Sequence, residues 1–185
     1  MLTVCFSATA AYGQDKSSTE VQAANDIVNL FSEVCLHNLD HLNEVRDWAA
    51  SKKLPKITNA EGRKIFVGEG DDGTGWFLLG KSTTIVLSIR SKTGACAVFG
   101  EHADSVAFAN WYDTILKNLA APIGSKAINT PEPDKVTAGQ FGLRTGKVRT
   151  IFKDGRLFLF ILITNEKSGG AYQASMQIGV ITGKN

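Results

Sequence analysis

The 185 residues specify an α+β domain, with about three helices packed on one antiparallel sheet of about six strands in the order ααβββαβββ. Three observations lead there. Apolar residues recur at helical spacing before Pro55 and again after Asp104. β-branched residues cluster at Thr83–Val86, a composition suited to a pleated surface. Asp154-Gly155 stands between two long runs and is the strongest hairpin signal in the chain.

The elements follow in order. Thr19 reads as an N-cap, with Val21, Ala24, Ile27, Val28, Phe31, Val34 and Cys35 forming the stripe of a first helix that ends near Leu36. A second helix is expected from about Leu39, carrying Leu42, Val45, Trp48 and Ala49 on one face and stopping before Pro55. Arg63–Val67 reads as a short strand and Gly68–Gly73 as an acidic loop. Trp76–Leu79, Thr83–Arg90 and Ala95–Phe99 read as three strands. A third helix spans Asp104–Ala120, capped by Asp104, with Val106, Phe108, Trp111, Ile115 and Leu119 inward. Pro122, Pro131 and Pro133 mark an irregular link over about residues 121–138.

Lys147–Lys153, Arg156–Thr164 and Tyr172–Thr182 close the sheet. The last strand alternates, with Tyr172, Ala174, Met176, Ile178 and Val180 on one face. Leu157–Ile163 is apolar throughout, so that strand is expected to be central and covered on both faces.

Composition limits the function classes. With 43% hydrophobic and 21% charged residues the chain is globular rather than disordered. A net charge of +2 is too weak a bias to argue for nucleic acid, membrane surface or acidic substrates, so no nucleic-acid partner is expected, and no apolar run of about 18 residues is present to span a bilayer. The first charged residue is Asp15, and Ala11 and Gly13 give the small-x-small spacing that signal peptidase accepts. Residues 1–13 therefore read as a signal peptide, although no basic residue precedes the apolar stretch. Residues 14–185 read as one domain. Val4 is too bulky to precede a lipidated Cys5.

Removal of that segment would leave Cys35 and Cys96. An even pair in an exported chain favours a disulfide closing a loop of about 60 residues. Such a link is worth about 4 kcal/mol in the chain-entropy picture. Two buried thiols in a reduced cytosolic core are the alternative.

The chemical motifs are weak. Gly75–Ser82 matches the phosphate-loop pattern G-x-x-x-x-G-K-[ST], but its interior is bulky and apolar and a β-branched run follows where a helix is required. A hairpin turned at Gly80-Lys81-Ser82 is the expectation. His37 and His41 would share a helical face if the helix were continuous; with His102, Asp40, Glu44 and Glu101 they are the candidates for a metal site. Asn38 interrupts both the protease motif and the helix, so no metal or other cofactor is expected. Glu69, Asp71 and Asp72 lack the spacing of a calcium loop. No nucleophile-elbow motif is present.

Registry at Asp154-Gly155 places Lys153 opposite Arg156, Ile151 opposite Phe158 and Arg149 opposite Phe160. Lys147, Arg149, Lys153 and Arg156 then form a candidate face for an anionic envelope polymer. The competing expectation is that the two Phe residues pack under a helix while the basic stems cover the sheet edge.

Cys35 near a helix end, Trp76-Phe77, Gly94-Ala95-Cys96-Ala97-Val98, Leu159–Thr164 and Ala171–Met176 follow one another in an order that resembles a group of uncharacterised small exported proteins of Gram-negative bacteria. The resemblance covers about residues 21–181. It implies paired cysteines and an envelope location, and it brings no catalytic residues. The functional expectation is a non-catalytic periplasmic or secreted binding or accessory protein, with an envelope protein or polymer as partner. The alternative is a secreted hydrolase with a metal or serine centre.

Overall fold

The computed structural model describes residues 14–39, 41–120, 134–139, 142–153, 156–167 and 170–181. The signal-like segment, Cys5, Asp40 and the Asp154-Gly155 turn lie outside them. Helix α1 (Gln14–Leu30) runs into a π-helical turn (Phe31–Leu36) and is followed by α2 (Leu42–Ser51) and α3 (Ala60–Phe66). Strands β1 (Thr74–Leu79), β2 (Thr84–Arg90) and β3 (Ala95–Gly100) precede α4 (Ser105–Ala120). Then come β4 (Lys135–Gly139), β5 (Gly142–Lys153), β6 (Arg156–Asn165) and β7 (Ala174–Ile181).

The strands form one antiparallel sheet in the order β1-β2-β3-β7-β6-β5-β4. Two meanders thus meet at a β3–β7 seam, and α4 carries the chain from one to the other. The fold is α+β, as the periodicities predict.

Alternation sorts the strand residues onto two faces. One face carries Trp76, Leu87, Ile89, Cys96, Val98, Phe158, Phe160, Leu162, Met176 and Ile178. It is roofed by Ala24, Ile27, Phe31, Val34 and Cys35, by Val45 and Ala49, and by Phe108 and Tyr112. On the other face Ile57, Phe66, Val86, Ala97 and Phe99 make a second, smaller core.

Several expectations are corrected. Thr19 lies inside α1, which already includes Gln14. Helix α2 starts at Leu42 because the buried Asn38 turns back, its side-chain amide donating to the Val34 carbonyl at 2.9 Å. Arg63–Val67 is mostly helical. The Asn59 side chain caps α3 by accepting from the Gly62 N–H at 2.6 Å.

In α4 the Asp104 carboxylate caps as expected, accepting from the Ala107 N–H at 2.7 Å. Val106 and Trp111 are nevertheless exposed, and Tyr112 takes the inward place. The inward stripe runs Phe108, Tyr112, Ile115, Leu119, which is helical spacing; Trp111 sits at its flank and Val106 on the opposite, solvent-facing side. A seventh strand, β4, occupies Lys135–Gly139, within the segment expected to be an irregular link, and pairs with β5.

Strand β6 lies between β5 and β7 but is not covered on both faces. Phe158, Phe160 and Leu162 are buried, while Leu157, Leu159, Ile161 and Ile163 are only half-buried. Tyr172 precedes β7 and packs on the second face rather than with Ala174 and Met176.

Candidate binding site

The cysteines settle first, because they fix the helical layer. Cys35 in the π-helical turn and Cys96 in β3 are joined by a disulfide, with Cα atoms 5.5 Å apart. The pairing read from the sequence is therefore present.

The glycine-lysine-serine segment is a hairpin turn, as its apolar flanks require. Its amides already hold an anion from within the chain. Lys81 N–H and Ser82 N–H both donate to one Asp26 carboxylate oxygen, at 2.8 and 3.3 Å. The acidic loop is likewise closed on itself. Asp71 is buried, and its carboxylate accepts from the Gly73, Ser91 and Lys92 N–H groups at 2.7, 2.8 and 3.2 Å. Burial alone would raise its pKa; the three N–H donors and the Lys92 charge outweigh that and hold it below the usual carboxylate range. Glu69 pairs with Lys64 at 3.4 Å on the open surface.

His37 and His41 flank the break between the π-helical turn and α2, both exposed, so the shared helical face does not exist. His102 is exposed beyond β3, where its backbone N–H donates to Thr83 Oγ1. Among the described residues no three His, Cys, Asp or Glu side chains converge as a metal site.

The basic face has the register the hairpin predicts: Lys153 opposite Arg156, Ile151 opposite Phe158, Arg149 opposite Phe160. Phe158 and Phe160 are buried beneath the helices. Lys147 reaches Asp113 of α4 at 2.9 Å, and Arg149 reaches Asp134 at 2.9 Å. These two cations are thus engaged with carboxylates of the chain itself. Arg156 is exposed, and the Lys153 side chain lies outside the described residues.

The site that sequence reasoning missed is on the second face. Phe66, Phe77, Phe99 and Tyr172 line an open cleft of about 250 Å³ together with Val86, Thr84, Glu101, Gly100 and Ala171. Register explains the assembly: Phe77 pairs with Val86, and Val86 with Phe99, so all three project to one side. Helix α3 brings Phe66 over them and is tied down by Ser88 Oγ donating to the Phe66 carbonyl at 2.9 Å. Tyr172 closes the end because the Gln173 N–H donates to the Gly100 carbonyl at 2.8 Å.

The rings interlock. Phe66 and Phe99 meet edge to face with centroids 5.2 Å apart, and Phe99 and Tyr172 do so at 5.0 Å. Glu101 is exposed, and its side chain makes no ion pair or hydrogen bond with another described residue. The signal for this site was present in β3: apolar residues at both parities, Val98 against Phe99, require two covered faces. Reading Arg63–Val67 as a strand hid the helix that provides the cover.

With the fold and the cleft in hand, no protein-family model, curated protein sequence or solved structure matches this chain.

Proposed function

We propose that the chain is a non-catalytic binding domain of the bacterial envelope, periplasmic or secreted, and that the aromatic cleft is where it binds. The observation that carries the reading is the cleft itself: four aromatic side chains line an open concavity of about 250 Å³, a little below the usual size of small-molecule pockets. Glu101 and Tyr172 are the titratable side chains among its described lining. The rest of the lining is largely apolar, a surface suited to recognition.

The location rests on other support. A disulfide persists in oxidising compartments, and the signal-like start and the resemblance to small exported proteins agree with it. No described helix is long and apolar enough to cross a membrane.

Two measurements test the proposal. Fractionated cells are expected to yield the protein outside the cytoplasm, with intact mass lacking residues 1–13 and shifting by two hydrogens on reduction. A full-length, reduced cytoplasmic protein would end the envelope assignment. Toluene, a small neutral apolar probe, is expected to shift amide resonances around Phe66, Phe99 and Tyr172 in the wild type and not in Val86→Trp, which fills the cleft. Absence of any cleft-localised shift would end the binding assignment.

A further inference from the structure

We infer that the cleft selects an alkylated ammonium group, the choline-type head of a small organic cation, over a neutral group of the same shape. The inference rests on the reading of the cleft as the binding site and adds the ligand's charge. Aromatic faces carry partial negative charge, and a cation within about 6 Å of a ring centroid is attracted to it. Here Phe66, Phe77, Phe99 and Tyr172 line one concavity, the half-buried Phe77 and Tyr172 being more exposed than the buried Phe66 and Phe99. The formal charge among the described lining residues is that of the exposed Glu101, which has no cationic partner among the described residues.

The two fields act in the same direction. An apolar, ring-lined wall also lowers the local dielectric and lengthens the reach of that carboxylate. An anionic ligand is opposed by both. A bare ammonium would have to shed strongly held water against walls that offer few acceptors, since Val86 and the phenylalanines supply none. Methylated ammonium removes that obstacle: its surface is apolar, its charge remains, and its size suits about 250 Å³.

The experiment is a chemical-shift titration of the full, oxidised chain with choline and with 3,3-dimethyl-1-butanol, its uncharged carbon isostere. Choline is expected to shift the cleft resonances at a concentration about ten-fold lower than the isostere. Glu101→Gln, an exposed change, is expected to narrow that gap about five-fold, and added salt to narrow it partly in the wild type. Equal affinity for the two ligands, or an isostere that binds where choline does not, overturns the inference while leaving the binding reading intact. An unchanged gap in Glu101→Gln also overturns the carboxylate's part in it. If neither these ligands nor toluene touches the cleft, both readings fall together.

Discussion

Asp71 shows how much one side chain organises. Its two oxygens gather N–H groups from Gly73, just before β1, and from Ser91 and Lys92, beyond the end of β2. The carboxylate thereby closes the end of the β1–β2 hairpin opposite its turn. Asp71→Asn keeps the shape but replaces an acceptor oxygen by a donor facing N–H groups. It is expected to cost about 1–3 kcal/mol in urea unfolding at neutral pH. The pH dependence has a definite sign. A folded-state pKa held below the unfolded value gives stability that is present above about pH 4 and is lost as pH falls through the depressed folded value. The difference between wild type and variant should therefore shrink in acid; a difference constant from neutral pH down to pH 2 would count against this account. Gly73 is coupled to the same clasp. A Cβ there would lie on the Ile89 carbonyl oxygen, a backbone atom that cannot turn away as a flexible side chain can. Gly73→Ala is expected to destabilise by about 2 kcal/mol or more, read as a lower urea midpoint.

Helix α4 is held by a polar contact as well as by its apolar stripe. Tyr112 is buried and donates its hydroxyl to the Phe160 carbonyl at 3.1 Å, fastening the helix to β6. Burial pushes its pKa well above the ordinary tyrosine range, so the contact is fully present below about pH 10 and is weakened as pH rises beyond it. Tyr112→Phe removes the bond and keeps the ring. A loss of about 1 kcal/mol is expected by thermal or urea unfolding, and no loss at all would mean the hydroxyl is not sharing in the packing. How far such elements can be read from sequence depends on whether their signal is local. The caps at Asp104 and the register of β5 and β6 are local, and both were legible. Helix α3 has only seven residues, too short for periodicity to show, and its one strong signal is the Asn59 cap. Strand β4 is legible only through its partner, since Lys135–Gly139 alternates weakly and pairs with a strand that follows it. The cleft depends on both a misread helix and Tyr172, whose place is set by a hydrogen bond to Gly100 across the seam rather than by alternation.

Two meanders sharing one sheet raise the question of what keeps the helical layer in register over both. The β3–β7 seam is the centre of the sheet, with three strands on one side of it and four on the other. Cys96 stands on β3 at that seam, opposite Ile178 of β7, and its partner Cys35 ends the long α1 segment above. The disulfide therefore fixes the helical roof at the seam between the two meanders. Two consequences follow from burial. Cys35 is 0% and Cys96 2% exposed, so a reductant must wait for the roof to open. Reduction by dithiothreitol is accordingly expected to be slow under native conditions and to accelerate sharply in subdenaturing urea. Replacing both residues, Cys35→Ala with Cys96→Ala, removes a loop closure of 61 positions and is expected to lower stability by about 2–4 kcal/mol. The sheet should survive that change, because its ladders do not depend on the link. Hydrogen exchange should then report earlier loss of protection in α1 and the π-helical turn than in β6 and β7. Uniform loss across helices and strands would show instead that the roof and the sheet unfold as one unit, with the disulfide acting on the whole chain rather than on the layer it pins.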